Sequence, residues 1–352
     1  MNKDLKRFFN KGLVIPALPL ALDQNKKFDE RYQRALLRYY IAAGAGGIAT
    51  AVHTTQFEIR DPKIGLFKPL LSFVGDVLKE ELSGRTMPFV KIAGVCGKTE
   101  QAVTEAELAA SLGYDVALVS LGALREESIN RLLDHCRIIG TIMPVMGFYL
   151  QPAVGGRVLP FEFWREFFEI ENVVSVKIAP FNRYQTIDVI RALAVSEREK
   201  EIVLYTGNDD NIINDLITPF RVWSDKREKL LHIRGGLLGQ WSVWTSKAVA
   251  LLNQIHDTID NNRMDFSDYL STNIALTDAN GALFDVQNNF KGCIAGIHEV
   301  LYRQGLMRYT HCLNESEVLS PGQSEEIDRV IGAYPWLQDT DFIKENLDEW
   351  LR

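Results

Sequence analysis

The chain has 352 residues, of which 46% are hydrophobic and 24% are charged, so it can bury a large core. Its formal net charge of -7 and its pI near 5.5 argue against a broad nucleic-acid-binding surface. No apolar run approaches membrane-spanning length, and the amino terminus lacks the apolar centre of a secretion signal. The cysteines are scattered without CxxC spacing and indicate reduced thiols of a cytoplasmic protein. They are Cys96, Cys136, Cys293 and Cys312.

Eight short apolar segments have the length and composition of β-strands, and the stretches between them, such as Asp29 to Ala43 and Glu100 to Leu112, have helical periodicity. This alternation predicts parallel pairing, and eight such units predict a (β/α)8 TIM barrel of the α/β class. An open doubly wound sheet would usually carry a glycine-rich loop after its first strand, but Pro19-Leu20-Ala21-Leu22-Asp23 follows it here. The predicted strands are Leu13 to Leu20, Gly47 to Val52, Phe89 to Val95, Val116 to Leu121, Pro144 to Leu150, Val173 to Ala179, Glu201 to Gly207 and Leu231 to Leu238.

The remainder of the chain has a purely helical pattern, and neither a repeat nor a low-complexity linker marks where it begins. We therefore expect residues 1–261 to form the barrel with the active site, and residues 262–352 to form a C-terminal helical extension packed on it. The predicted helices of the extension are Met264 to Leu276, Phe284 to Gln304, Ser324 to Ala333 and Asp341 to Leu351.

Lys177 is the most informative polar residue, because it lies near the end of an apolar strand where a charged side chain is unusual. In a barrel, the carboxyl ends of the strands form the functional face. Strand parity predicts that Lys177 points inward and that Tyr149, at the end of the preceding strand, meets it. A lysine in a water-poor pocket can become neutral and attack a ketone to form a Schiff base, and a nearby phenol can relay protons. The alternative is a lysine that snorkels to solvent from the strand end.

The order of these residues resembles the pyruvate-type class I aldolases, the family of dihydrodipicolinate synthase and N-acetylneuraminate lyase. The resemblance rests on Thr54-Thr55 after strand two, Tyr149-Leu150-Gln151-Pro152 after strand five, Lys177 in strand six and Gly207-Asn208-Asp209-Asp210 after strand seven. It implies that Thr54 and Thr55 bind the pyruvate carboxylate, Tyr149 relays protons and Lys177 forms the Schiff base. It also implies a homotetramer or dimer and no cofactor.

Three departures from the family pattern bear on the reaction. The usual Gly-Thr-Thr-Gly-Glu is His53-Thr54-Thr55-Gln56-Phe57 here, which leaves the shape of that loop open. The synthase tyrosine after strand four is absent from Leu121-Gly122-Ala123-Leu124, and the synthase arginine after Pro152 is displaced to Arg157. The resemblance therefore disfavours dihydrodipicolinate synthesis.

Most other polar residues near the predicted strand ends have two interpretations. His53 contacts substrate or is a hydrogen-bonded structural residue. Asp209, with Asp210, binds substrate hydroxyls or caps the next helix. Arg183 recognises a second carboxylate or phosphate, or simply faces solvent. Gln240, after strand eight, walls the pocket.

The histidines show no HxH or HExxH spacing, so a metal-dependent aldolase is not favoured. We therefore expect a Schiff-base lyase or aldolase that acts on pyruvate, a sugar-acid-like 2-keto acid and an aldehyde, with neither a nucleic acid nor a membrane as partner. A 2-keto-acid dehydratase of the same family remains open. So does a catalytically silent relative that binds a small 2-keto acid.

Overall fold

A computed structural model describes residues 1–224, 226–261 and 265–352. In these residues, eight parallel strands alternate with helices and form a (β/α)8 barrel, which is followed by C-terminal helices, as the sequence predicts. The parallel strands are β1 (Val14–Pro16), β2 (Gly47–Thr50), β3 (Val90–Val95), β4 (Val116–Val119), β5 (Val145–Leu150), β6 (Val173–Ala179), β7 (Val203–Thr206) and β10 (Ile233–Leu238).

Several helices begin at a polar residue whose side chain accepts a backbone N–H of the first turn, which is how helix starts are commonly satisfied. Asp29, Ser128 and Asn182 do so through the backbone N–H groups of Tyr32, Arg131 and Gln185 respectively. The helices are α1 (Lys3–Asn10), α2 (Glu30–Ala42), α3 (Phe67–Glu81), α4 (Thr99–Ser111), α5 (Ile129–Gly140), α6 (Phe161–Phe168), α7 (Arg183–Val195), α8 (Ile212–Ile217), α9 (Thr245–Asp260), α10 (Ser267–Leu283), α11 (Cys293–Arg303), α12 (Gln323–Ala333) and α13 (Thr340–Trp350).

Two elements go beyond the sequence prediction: the amino-terminal helix α1, and a hairpin of β8 (Phe220–Ser224) and β9 (Arg227–Leu231). The helix expected from Phe284 begins only at Cys293, because Asp285, Asn289 and Phe290 have positive φ angles that end regular helix. Met264, the first residue of another predicted helix, lies outside the described residues.

The chain divides into two compact units, and the first contains Met1–Leu13 and Val90–Leu237. In its sheet the neighbouring strands are β3, β4, β5, β6, β7 and β10, all parallel. Helix α1 is anchored to this sheet by Phe9, whose ring stacks on Tyr205 with centroids 4.9 Å apart. The Tyr205 hydroxyl, on β7, donates to the Phe9 carbonyl at 2.7 Å.

The second unit contains Val14–Phe89 and Leu238–Arg352, so it combines β1, β2, α2 and α3 with the C-terminal helices. Helix α13 packs on α2, where the Arg38 guanidinium donates to the Trp350 carbonyl at 3.0 Å. The Tyr39 hydroxyl of α2 donates to the buried carboxylate of Asp339 at 2.8 Å. The C-terminal helices therefore pack on an early helix of the chain. The boundary at residue 262 stays a prediction.

Candidate active site

Lys177 lies in β6, a strand whose residues are all buried. Only 8% of Lys177 is exposed, so its amine does not extend into bulk solvent as the snorkelling interpretation requires. Its Nζ lies 4.5 Å from the centroid of the Phe148 ring, within the range of a cation–π contact. Phe148 is also its register partner on β5, so the two side chains share one face of the sheet.

Gly207 packs against the side of the Lys177 side chain that faces β7, opposite Phe148. A methyl group placed on Gly207 would lie 2.6 Å from Cε of Lys177 and 2.8 Å from Cβ of Ala179, closer than carbon atoms pack. The first residue of the Gly207-Asn208-Asp209-Asp210 segment is therefore a glycine because only a hydrogen fits beside the lysine. Phe148 and Gly207 together confine the amine-bearing chain.

Tyr149 does not meet Lys177, and that prediction is wrong. Tyr149 pairs with Ile178 and so lies on the opposite face of the sheet from Lys177. Its ring packs on Trp164 of α6 at 5.0 Å, and its hydroxyl both donates to the Leu159 carbonyl and accepts from the Leu159 N–H at 3.2 Å. Burial raises the pKa of Tyr149 to about 12, so the phenol stays protonated. Tyr149 is a structural side chain between the sheet and α6.

The Gly-Asn-Asp-Asp segment is held by a buried network that sequence reasoning missed. The Asp215 carboxylate, completely buried, accepts from the Thr206 hydroxyl at 2.6 Å, from the Asn208 amide at 2.9 Å and from Arg183. The Asn208 amide also donates to Thr186 of α7 at 3.1 Å. The available signal was Asp215 itself, an acid within the apolar run Ile212–Ile217.

These contacts bear on the interpretations of Arg183, Asp209 and Asp210. Arg183 is partly exposed and forms an ion pair with Asp215, so its charge is already compensated within the fold. Asn211, rather than Asp209 or Asp210, occupies the position before α8, and its side chain makes no cap hydrogen bond. Asp209 is 5% exposed, so it belongs to the protein interior near the end of β7.

In the second unit, His53, Thr54 and Thr55 form one turn of 3-10 helix after β2. The Thr55 hydroxyl donates to the Leu18 carbonyl at 2.7 Å and accepts from the Val52 N–H at 3.3 Å, so its proton is used within the fold. Thr54 is 4% exposed, and His53 is half-buried with its ring 5.9 Å from that of Phe57.

Gln56 stands where the family pattern has a glycine, and its backbone conformation is unusual for a residue with a side chain. Its φ angle is 72°, a value that glycine adopts freely and other residues adopt at a cost. The Gln56 side-chain oxygen accepts from the Leu313 N–H at 2.6 Å, and the residue is almost completely buried. This position therefore has a φ angle typical of glycine, and the hydrogen bond from Leu313 anchors the side chain.

Gln240 follows β10 and is 1% exposed. The Asn280 side chain of α10 donates to its amide oxygen at 2.9 Å, which orients the Gln240 amide. Sequence reasoning selected Gln240 but missed Asn280, which comes from the C-terminal helices.

No cluster of three or more histidine, cysteine or acidic side chains in the described part of the chain could hold a metal ion. Within residues 1–224, 226–261 and 265–352, none of the helices combines the length and apolar character needed to cross a membrane.

The model of the dihydrodipicolinate synthetase family matches residues 10–218, more than half of the chain. The chain belongs to this family. A curated relative is the 4-hydroxy-tetrahydrodipicolinate synthase of Desulforamulus reducens, 24% identical over 203 residues. The match covers 56% of this chain, and the chain spans 63% of the length of that relative. The sequence-based resemblance is confirmed.

Solved structures with a similar fold come from the same group of proteins. YagE, an E. coli K12 prophage protein of the dihydrodipicolinic acid synthase family, was solved in complex with pyruvate; it has 16% identity and a TM-score of 0.71, over 92% of this chain and 97% of that one. CdNal from Clostridium difficile, solved with mannosamine, has 16% identity and a TM-score of 0.72 over 92% and 99%. The N-acetylneuraminate lyase from Fusobacterium nucleatum has 15% identity and a TM-score of 0.70 over 92% and 99%. These matches establish the barrel fold.

Proposed function

We propose that the protein is a Schiff-base-forming lyase or aldolase that acts on pyruvate and sugar-acid-like 2-keto acids through Lys177. The observation that carries the proposal is a buried lysine in the sixth parallel strand of a barrel in this family, confined between Phe148 and Gly207. The pyruvate complex of YagE supports the choice of a 2-keto acid as substrate.

The proposed reaction begins when the neutral Lys177 amine attacks the ketone carbon of the 2-keto acid. Loss of water gives a protonated imine at the second carbon, which draws electrons from the bond between the third and fourth carbons as the hydroxyl group on the fourth carbon gives up its proton to a base. Cleavage of that bond releases an aldehyde and leaves an enamine, which takes up a proton at the third carbon before water hydrolyses the imine and frees pyruvate. Aldol addition is the reverse sequence. In a dehydratase, the imine would instead lose a proton from the third carbon with the carbon chain intact, and the resulting enamine would expel the hydroxyl group of the fourth carbon as water.

Tyr149 lies on the opposite face of the sheet from Lys177, so the relay assigned to it is no longer part of the proposal. For Thr54 and Thr55 we keep the proposed role in carboxylate binding. Because the Thr55 hydroxyl donates to Leu18, we assign the hydroxyl contact to Thr54. Contacts of His53, Asp209 and Gln240 with substrate, and a homotetramer or dimer, also stay proposals.

The test is borohydride trapping: the protein is incubated with pyruvate, reduced, and weighed intact by mass spectrometry. We expect a stable adduct that maps to Lys177 and disappears in Lys177→Arg. Lys229→Arg is a matched control, because Lys229 is also buried in the first unit, where its amine donates to the Ala194 carbonyl. That variant should keep the adduct.

The same experiment distinguishes the alternatives. If neither pyruvate nor any other 2-keto acid gives an adduct, the Schiff-base proposal is wrong and a catalytically silent binder is favoured. If an adduct forms, release of pyruvate from a sugar acid indicates an aldolase, whereas loss of water from the substrate without pyruvate release indicates a dehydratase.

A further inference from the structure

The second unit contains a cavity of about 330 Å³, which Gln240 lines together with residues that have no part in the proposed reaction. It lies at the start of α9, beside α10 and the turn Pro335–Leu337. Its volume is at the lower end of the roughly 300 to 1,000 Å³ typical of small-molecule sites. The residues that define its chemistry are Gln240, Trp241, Trp244, Lys247, Leu276 and Trp336.

Three tryptophans are among the lining residues of this cavity. Trp241 and Trp244 are 2% and 3% exposed and form its packed base, whereas Trp336 is 50% exposed and offers the accessible indole ring. Indole faces bind planar aromatic groups by stacking, and they do so with little loss of side-chain freedom.

Few polar side chains line the cavity, and the charge among them is positive. Lys247 is the only charged side chain that lines the cavity, and it forms no ion pair among the described residues. Gln254 and Thr272 add uncharged hydrogen-bonding groups from α9 and α10. A ligand that fits both the indole rings and the ammonium group has an aromatic ring and a negative charge.

We propose that this cavity binds a small planar aromatic carboxylate, with its ring against Trp336 and its carboxylate at Lys247. The site lies wholly within the second unit, and its occupation does not require the Lys177 amine.

Isothermal titration calorimetry with 2-naphthoate tests the proposal, with the uncharged 2-naphthalenemethanol as the comparison. We expect saturable one-site binding of naphthoate. Lys247→Gln should weaken naphthoate binding about fivefold, the range of an exposed ion pair, and leave binding of the alcohol unchanged. Trp336→Ala should weaken both compounds about tenfold. Since Trp336 is half exposed, this variant should fold, and circular dichroism would verify that it does.

Two control variants test whether the ligand binds in this cavity. Trp223→Ala removes a more exposed indole, 74% exposed, from the hairpin strand β8, and it should not change affinity. Lys177→Arg should also bind naphthoate normally, so failure of the Schiff-base proposal would leave this one intact. The proposal is overturned if naphthoate does not saturate, if Lys247→Gln and Trp336→Ala bind it like the wild type, or if Lys177→Arg abolishes binding.

Discussion

Replacement of Gly207 by alanine tests whether the packing around Lys177 holds the amine in its reactive position. The added methyl group would lie 2.6 Å from Cε and 3.0 Å from Cγ of Lys177. The lysine chain can move, but Cβ of Ala179 at 2.8 Å is fixed to the β6 backbone. The substitution therefore pushes the lysine stem away from β7 and changes the position of the amine over the Phe148 ring.

We expect Gly207→Ala to lower both the stability of the protein and the rate of the reaction at Lys177. Overpacking of a buried site typically lowers the free energy of unfolding by about 1–3 kcal/mol. A displacement of about 1 Å at a reacting group can slow a reaction roughly 100-fold. Gly332→Ala is the matched control, because no described atom lies within 4 Å of a methyl group there and Gly332 is in the exposed part of α12. It should stabilise the protein by about 0.5–1 kcal/mol, the gain from replacing a helical glycine.

The assay combines urea unfolding with the rate of borohydride-trapped pyruvate adduct formation at subsaturating pyruvate. Gly207→Ala should lose stability and react far more slowly, while Gly332→Ala should react at the wild-type rate. The packing argument fails if Gly207→Ala forms the Lys177 adduct as fast as the wild type while keeping its full stability.

Three further predictions concern residues whose roles the structure changes or defines. Tyr149→Phe should form the Lys177 adduct within about twofold of the wild-type rate and should lose about 1 kcal/mol of stability, because the substitution removes only structural hydrogen bonds. A rate about 100-fold slower than that of the wild type would instead indicate that Tyr149 relays protons. Burial lowers the pKa of His135 from 6.5 to about 4, so the unfolded chain binds a proton first as the pH falls. The wild type should therefore lose about 2 kcal/mol more than His135→Gln between pH 7 and pH 5 in urea unfolding, and equal losses would contradict this. Gln56→Ala should be about 1–3 kcal/mol less stable than Gln56→Gly, because both lose the bond to Leu313 and only glycine adopts a φ of 72° freely; equal unfolding midpoints would count against backbone strain.

The barrel could be predicted because its signal is local and repeated. Strands β5 and β6 were placed to within a residue of their observed bounds, since apolar runs between amphipathic helices leave few other interpretations. The hairpin of β8 and β9 was missed because it lacks this repeated pattern. Its strands are short, one of its faces carries the exposed Trp223 and Leu230, and it interrupts the alternation of strand and helix.

The error at Tyr149 has a specific structural cause. At the start of the two strands, Val145 pairs with Val173, and a regular ladder from there would pair Tyr149 with Lys177. The register shifts immediately afterwards, so that Met146 pairs with Ser175. One extra residue in a strand moves all later side chains to the other face relative to the neighbouring strand. Parity within one strand can be read from sequence, but a bulge between two strands cannot.

The segment after β7 shows a different limit. Asp209 and Asp210 attracted attention because acids after a strand suggest substrate binding or helix capping. The organising acid is Asp215, whose donors Thr206, Asn208 and Arg183 come from β7, the following loop and α7. No spacing rule connects these positions, since only the folded sheet brings them together. Because the buried Asp215 carboxylate already balances the charge of the Arg183 guanidinium, a second anion at the remaining guanidinium N–H groups would gain less electrostatic energy than it would from an unpaired arginine.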